Sequence, residues 1–211
     1  QVLPVLAERW RTLAVAGSHG KTTTSSMTAH LLRSCGVDAS WCIGGELPPD
    51  GAPAGAGTSD WLVIEADESD GTLSNYAPDI AVITNIEFDH MEHFESRAGM
   101  VECFEAFARQ ARAVVAGADD PEAARLGRAV GGISFGFAEG AEYRGEVLEA
   151  GPGGTRFAVR APDGRRREAW LQLTGRHNVL NALAALAACG QQGGIDLDDA
   201  CAALAGFRLP R

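Results

Sequence analysis

Residues 17–23 read Gly17-Ser18-His19-Gly20-Lys21-Thr22-Thr23, a run that combines two glycines, one ammonium group and several hydroxyls. Glycine lets a backbone turn sharply and approach an anion closely. Lys21 offers a compact charge to β- and γ-phosphate oxygens, and the Thr22 hydroxyl can ligate a divalent cation. The glycine spacing is shorter than in the general GxxxxGK[ST] pattern, because residue 15 is Val. Lys21 is the single lysine of the chain; the other 17 of its 18 basic residues are arginines. A point charge is a role for lysine and not for the planar arginine fork. The plainer alternative is a glycine turn followed by a helix cap.

Two acidic segments follow. Glu65-Ala66-Asp67-Glu68-Ser69-Asp70 gathers four carboxylates in six residues, whose mutual repulsion a bound cation would relieve. Glu65 is the candidate metal ligand; Asp67, Glu68 and Asp70 include residues that simply face water. Asn85-Ile86-Glu87-Phe88-Asp89-His90 ends in His90, a candidate for metal or substrate contact, with Glu87 and Asp89 as groups that could orient it. His93 is a weaker candidate.

These residues need elements to position them. Residues 13–16 read as a short buried strand and 22–34 as a helix, so the glycine turn lies where helix-start N–H groups point at an anion. Residues 61–66 and 80–84 are apolar almost throughout, as strands of a parallel sheet covered on both faces are. Each runs into one of the acidic segments, and ligands of open α/β sheets bind at the carboxyl ends of strands. Helices are expected over 99–110, 121–130, 179–189 and 198–204, and a strand over 113–116. Residues 48–59, rich in Gly, Ala and Pro, read as a loop. Three alternating stretches within 143–173, separated by Gly-Pro-Gly-Gly and Asp-Gly, read as two hairpins. Arg165, Arg166 and Arg167 there read as a solvated turn and edge strand.

The expected fold is therefore α/β: a mostly parallel sheet flanked by helices, with a phosphate loop like that of P-loop NTPases and an antiparallel hairpin extension. Residues 1–211 are read as one domain, with a linker region at 1–11, the extension at 143–173 and the start of another linker at 206–211. Residue 1 is Gln and a structured motif follows at once, so an internal cut is expected at the N-terminus. The net charge of −10 disfavours a broad nucleic-acid surface. No apolar run reaches the ~20 residues that span a bilayer, so no membrane partner is expected. Five scattered cysteines without CxxC spacing fit small apolar fillers in a reducing, cytoplasmic setting. One cation in a glycine cradle and two acidic strand ends point to MgATP chemistry; a Walker-type ATPase with mechanical output is the alternative at this level.

Four ordered segments, GSHGKTTTSSM at 17–27, EADESD at 65–70, TNIEFDHM at 84–91 and GRHNVLNALAA at 175–185, resemble those of the Mur ligase family of peptidoglycan synthesis, and its alanine-adding branch in particular. The resemblance covers almost the whole chain; Ser18 stands where Thr is commoner. It implies the ATP-binding central domain of a three-domain ligase, with separate UDP-sugar-binding and C-terminal domains as its partners. It implies ATP and Mg²⁺ as cofactors, and UDP-N-acetylmuramate and L-alanine as substrates of the full-length enzyme. It places residues 17–23 on the triphosphate, Glu65 and His90 with Thr22 on metal, and His177, Asn178 and Asn181 near the adenine. From spacing alone, Asn178 and Asn181 are helix-start polar residues that could share a face. Several relatives hold a second Mg²⁺ with a carbamylated lysine; this chain has no lysine after residue 21, which fits the alanine-adding branch. Murein-peptide ligase, which attaches a tripeptide to the same sugar nucleotide, carries similar segments, and a non-catalytic nucleotide-binding scaffold or a free-standing ATPase are the readings from other classes.

Overall fold

The computed structural model describes residues 9–48, 51–68, 72–87, 94 and 96–210. Its strands are β1 (Arg11–Ala16), β2 (Ser40–Leu47), β3 (Ala52–Gly55), β4 (Trp61–Glu65), β5 (Ile80–Ile83), β6 (Ala113–Gly117), β7 (Ile133–Gly136), β8 (Tyr143–Gly151), β9 (Gly154–Arg160) and β10 (Arg166–Leu171). All lie in one sheet, in the order β10-β9-β8-β7-β6-β5-β1-β4-β2-β3. The strands from β2 to β8 run parallel; β3, β9 and β10 are antiparallel additions at the two ends. Parallel neighbours need crossovers, and helices α1 (Lys21–Ser34), α2 (Arg97–Gln110) and α3 (Pro121–Ala129) lie in three of them, while α4 (Arg176–Gln192) and α5 (Leu197–Ala203) follow the last strand and pack back on the sheet.

Alternation along the central strands builds two cores. Leu13, Val15, Trp61, Val63, Ile80 and Val82 face one way, against α1, α4 and α5. Ala14, Ala16, Leu62, Ile64, Ala81 and Ile83 face the other, where Met100, Phe104 and Phe107 of α2 and Leu126 of α3 close over them. Each of these strands is covered on both faces, which explains their unbroken apolar character.

Helix starts differ in a way that matters for the site. Ser96 accepts a hydrogen bond from the Gly99 N–H, Asp120 from Ala123 and Asp196 from Asp198, so α2, α3 and α5 are capped by side chains. Helix α1 begins after Gly20 with no side-chain cap, leaving N–H groups for something else. Its first half, rich in Thr and Ser, is buried nonetheless: Thr24, Ser25, Ser26 and Thr28 are fully covered. Ser25 donates to the Lys21 carbonyl (2.9 Å), Ser26 to Thr22 (2.6 Å) and Thr28 to Thr24 (2.8 Å), so these hydroxyls are satisfied inside the helix.

Two expectations change. The stretch 48–59 contains a strand, β3, which pairs with β2 and is tied by the Trp41 Nε1–H to the Ala52 carbonyl at 3.3 Å. The two hairpins expected over 143–173 are present, β8 pairing with β9 and β9 with β10, and they continue the main sheet because β8 pairs in parallel with β7. Arg167 is paired with Asp198 of α5, and Arg166 with Glu146 and Glu168. The segment read as the start of a linker is packed as far as Phe207, which is 1% exposed.

All five cysteines are free thiols. Burial raises the Cys189 thiol, which is fully enclosed, and pushes Cys201 up to about 12. At pH 8 a thiol of pKa ~12 is thiolate about once in 10⁴, so both should resist a disulfide reagent in the folded protein. Mass spectrometry after a timed pulse should find Cys189 and Cys201 modified only in denaturant; labelling of either in buffer would contradict the packing of α4 against α5.

Candidate functional site

The carboxyl ends of β1, β4 and β5 bring the sequence candidates to one edge of the sheet. Gly20 has φ 81°, a left-handed conformation open to glycine at little cost, and this turn starts α1 directly after β1. The loop is braced from the end of β5. The His19 N–H donates to Asn85 Oδ1 (2.9 Å), the His19 carbonyl accepts from Thr84 Oγ1 (2.8 Å) and Asn85 Nδ2 (3.0 Å), and the Ser18 hydroxyl donates to the Glu87 carbonyl (2.9 Å). The second acidic segment therefore holds the loop through Asn85 and the Glu87 backbone. The Glu87 carboxylate lies 3.4 Å from the exposed His19 ring. His90, Asp89, His93 and Asp70 lie outside the described residues.

Lys21 reaches back into the loop, donating to the Gly17 carbonyl at 2.8 Å and to Glu68 Oε1 at 3.0 Å. Its ammonium also lies 2.9 Å from Glu68 Oε2, an atom that is buried and lacks a well-directed hydrogen bond. The ammonium thus already faces a carboxylate where an anion would sit. Glu68, grouped above with residues that could simply face water, is instead the partner of the only lysine.

Glu65, the last residue of β4, is held from two sides. The Thr22 hydroxyl donates to its Oε1 at 3.0 Å, and the Gly44 N–H of β2 donates to its Oε2 at 2.8 Å. Burial raises the neighbouring Cys42 thiol, and the charge of Glu65 adds to that rise. Adjacent oxygen ligands of octahedral Mg²⁺ stand about 3 Å apart, given metal–oxygen distances of ~2.1 Å. The Thr22–Glu65 oxygen pair has that spacing and the hard-oxygen chemistry the ion requires, so these residues fit it. Among the described residues no three His, Cys, Asp or Glu side chains assemble into a metal cage.

A cleft of about 450 Å³ opens beside the loop, lined by His19, Gly20, Asn85, Asp119, His177 and Asn181, among others. Asn181 is nearly buried and accepts from Thr24 Oγ1 at 3.3 Å, packed where a side chain on Gly20 would have to go. His177 stands at the exposed start of α4. Asn178 does not join them: its Nδ2 donates to the Thr174 carbonyl at 2.7 Å, turned back on its own helix start. Thr23 is half-buried in the first turn of α1. Sequence reasoning missed Asp119, which accepts from the Phe137 and Ala138 N–H groups at 2.8 and 2.7 Å, and its neighbour Asp120, which caps α3. The signal was present: two acids directly after β6, at the same sheet edge.

Strand, glycine loop, uncapped helix and a carboxylate beside the first helical hydroxyl define a phosphate-loop α/β domain. Residues 15–189 match the model of the Mur ligase middle domain, and the chain belongs to that family. It is 44% identical over 206 residues to the UDP-N-acetylmuramate–L-alanine ligase of Stenotrophomonas maltophilia, covering 93% of this chain and 42% of that protein. The same-named protein of Gloeobacter violaceus is 41% identical over 99% of this chain and 45% of its own length. The chain thus spans less than half the length of these curated relatives. The solved UDP-N-acetylmuramate–alanine ligase MurC of Thermotoga maritima superposes with a TM-score of 0.85 at 32% identity, covering 98% of this chain and 47% of that one. A Neisseria ligase named for UDP-N-acetylmuramate and L-alanyl-γ-D-glutamyl-meso-diaminopimelate gives 0.81 at 30% identity, covering 96% and 68%.

The Lys21–Glu68 pair, with side chains 16% and 13% exposed, generates a test. Removing one member of a fully buried pair costs ~3–5 kcal/mol; here the Gly17 carbonyl still holds the ammonium, and Glu68→Ala should cost on the order of 2 kcal/mol. Urea unfolding measures it, and an unchanged midpoint would show that the pair adds nothing to the fold.

Proposed function

We propose that this chain is the ATP-binding middle domain of a ligase that joins L-alanine to the lactyl carboxylate of UDP-N-acetylmuramate through an acyl phosphate, in peptidoglycan precursor synthesis. The single observation that carries the reading is the convergence of Lys21, Thr22 and Glu65 around the uncapped start of α1. The names of the 44% and 41% identical relatives support alanine as the amine. The organisation in this reading is one domain over 1–211, a linker region near 1–11, a second linker beginning beyond the packed Phe207, and flanking domains that supply the sugar nucleotide and close the site. A cytoplasmic location accords with these substrates, and among the described residues no helix is long and apolar enough to cross a membrane.

In this reading the 17–23 backbone and Lys21 hold the triphosphate, with Glu68 yielding the ammonium to phosphate oxygens. The cleft beside the loop takes the adenosine, where Asn181 and His177 can meet a base and Asp119 can accept from a hydroxyl; Asn178 would have to leave Thr174 to take part. Mg²⁺, held by Thr22 and Glu65 and by His90, would supply charge neutralisation on the phosphates and the attacking carboxylate. The sugar's carboxylate oxygen attacks the γ-phosphorus and ADP departs. The amine then attacks the acyl carbon, loses a proton, and phosphate leaves with the bonding electrons. The contribution of this domain is placement and charge neutralisation.

A non-catalytic scaffold would bind nucleotide without turnover, and a free-standing ATPase would release phosphate without an amine. Alanine-dependent phosphate release by the full-length protein, with UDP-N-acetylmuramate and MgATP present, separates both from the ligase; preference for the tripeptide over alanine would transfer the assignment to murein-peptide ligase. In that assay Lys21→Ala should lower turnover by at least ~100-fold, the scale of a lost transition-state contact, and near-normal turnover would sink the assignment. His90→Ala should keep ATP binding and impair acyl-phosphate formation, read as positional isotope exchange in the γ-phosphate bridge.

A further inference from the structure

Gly44 and Gly45 stand side by side in β2, and neither has a positive φ. A strand interior gains nothing from glycine, whose ordering costs more entropy than that of alanine. The reason for each lies in what a side chain would strike. A Cβ on Gly44 would sit 2.8 Å from Glu65 Oε2, 3.1 Å from Oε1 and 3.2 Å from the carboxyl carbon, so its three nearest atoms all belong to that one carboxylate. A Cβ on Gly45 would sit 3.3 Å from the Thr22 methyl carbon and 2.9 Å from Pro210 Cβ. One glycine thus lies against each member of the Thr22–Glu65 pair. The Gly44 N–H also binds Glu65 Oε2 at 2.8 Å, which leaves Oε1 turned to the Thr22 hydroxyl at 3.0 Å.

We infer that Gly44–Gly45 is the positioning element of the divalent-cation site: Gly44 fixes one carboxylate oxygen of Glu65 through its amide and, lacking a side chain, lets the other meet Thr22. The inference rests on the metal reading of Thr22 and Glu65 given above.

The test is Mn²⁺ binding to the full-length protein with a non-hydrolysable ATP analogue, followed by electron paramagnetic resonance. Groups that orient a metal ligand typically contribute ~10–100-fold to affinity, so Gly44→Ala should weaken Mn²⁺ about 10-fold. Because it acts through the carboxylate, the same change in a Glu65→Asp background, where the side chain is one methylene shorter, should add less than about 2-fold, a non-additivity expected of residues in contact. A parallel loss in both backgrounds, or no loss in the parent, overturns the inference. Gly45→Ala meets the Pro210 ring, which can shift, and should weaken Mn²⁺ by a smaller factor; it serves should Gly44→Ala not fold. The Gly44 amide proton resonance should also move upfield in Glu65→Gln, and an unmoved resonance counts against the contact. If Glu65→Gln leaves Mn²⁺ affinity intact, the metal reading itself fails, an outcome distinct from an unaffected Gly44→Ala.

Discussion

The site depends on a single carboxylate that three elements share. Glu65 ends β4, receives the hydroxyl of Thr22 from the first turn of α1, and receives the amide of Gly44 from β2. A carboxylate accepting two such bonds cannot swing without leaving both donors unpaired, and charge-assisted bonds of this kind are the stronger class. The alignment is possible because β2, β4 and β1 run parallel in adjacent positions, with Val15 opposite Glu65 and Cys42 opposite Ile64. Their carboxyl ends therefore arrive together, and the distance from the helix start to the strand end is set by the sheet and not by flexible loops.

The same arrangement explains why α1 tolerates so many hydroxyl residues. Ser and Thr are poor helix formers in isolation, but a phosphate loop needs the helix to emerge directly from a buried strand. Small side chains that return their hydrogen bonds to the carbonyls of their own helix allow that start to lie deep against the sheet and α4. Larger apolar residues enter only from Met27 onward, where the helix meets the core through Leu31 and Leu32. Chemistry occupies the first turns and packing the later ones.

Most of this was legible in the residues. The phosphate loop, the strands at 13–16, 61–66 and 80–84 and the helices that cover them declare themselves through long apolar runs and through glycine and lysine in a fixed spacing. The strands that escaped notice are short or broken: β7 has four residues, and β2 carries Gly44 and Gly45 in mid-strand, where composition argues against a strand. That break is itself a consequence of the site, since the strand gives up side chains to make room for Glu65 and Thr22. Glu68 was underrated for a related reason. Four acids in six residues look interchangeable in sequence, and only the path of the chain after β4 decides which of them meets Lys21. Asn178 and Asn181, three apart, separate because the first belongs to the helix start and bonds Thr174, while the second reaches the buried face.

The charge balance around the loop limits how a nucleotide can enter. Within reach of the 17–22 segment the described residues supply one ammonium, already paired with Glu68, and two further carboxylates, Glu65 beside Thr22 and Glu87 beside His19. A bare triphosphate would bring further negative charge to a place where carboxylates already outnumber the one ammonium, and the helix start offers only partial positive charge. On the proposed reading, divalent cations carried in with the phosphates would reverse that balance, with Glu65 as a ligand instead of a repelling group and Lys21 released from Glu68 to the phosphate oxygens. Nucleotide and metal affinity should then be linked, each raising the other by the same factor. The chain's net charge of −10 acts in the same direction at longer range, since it disfavours the free anion more than its metal complex.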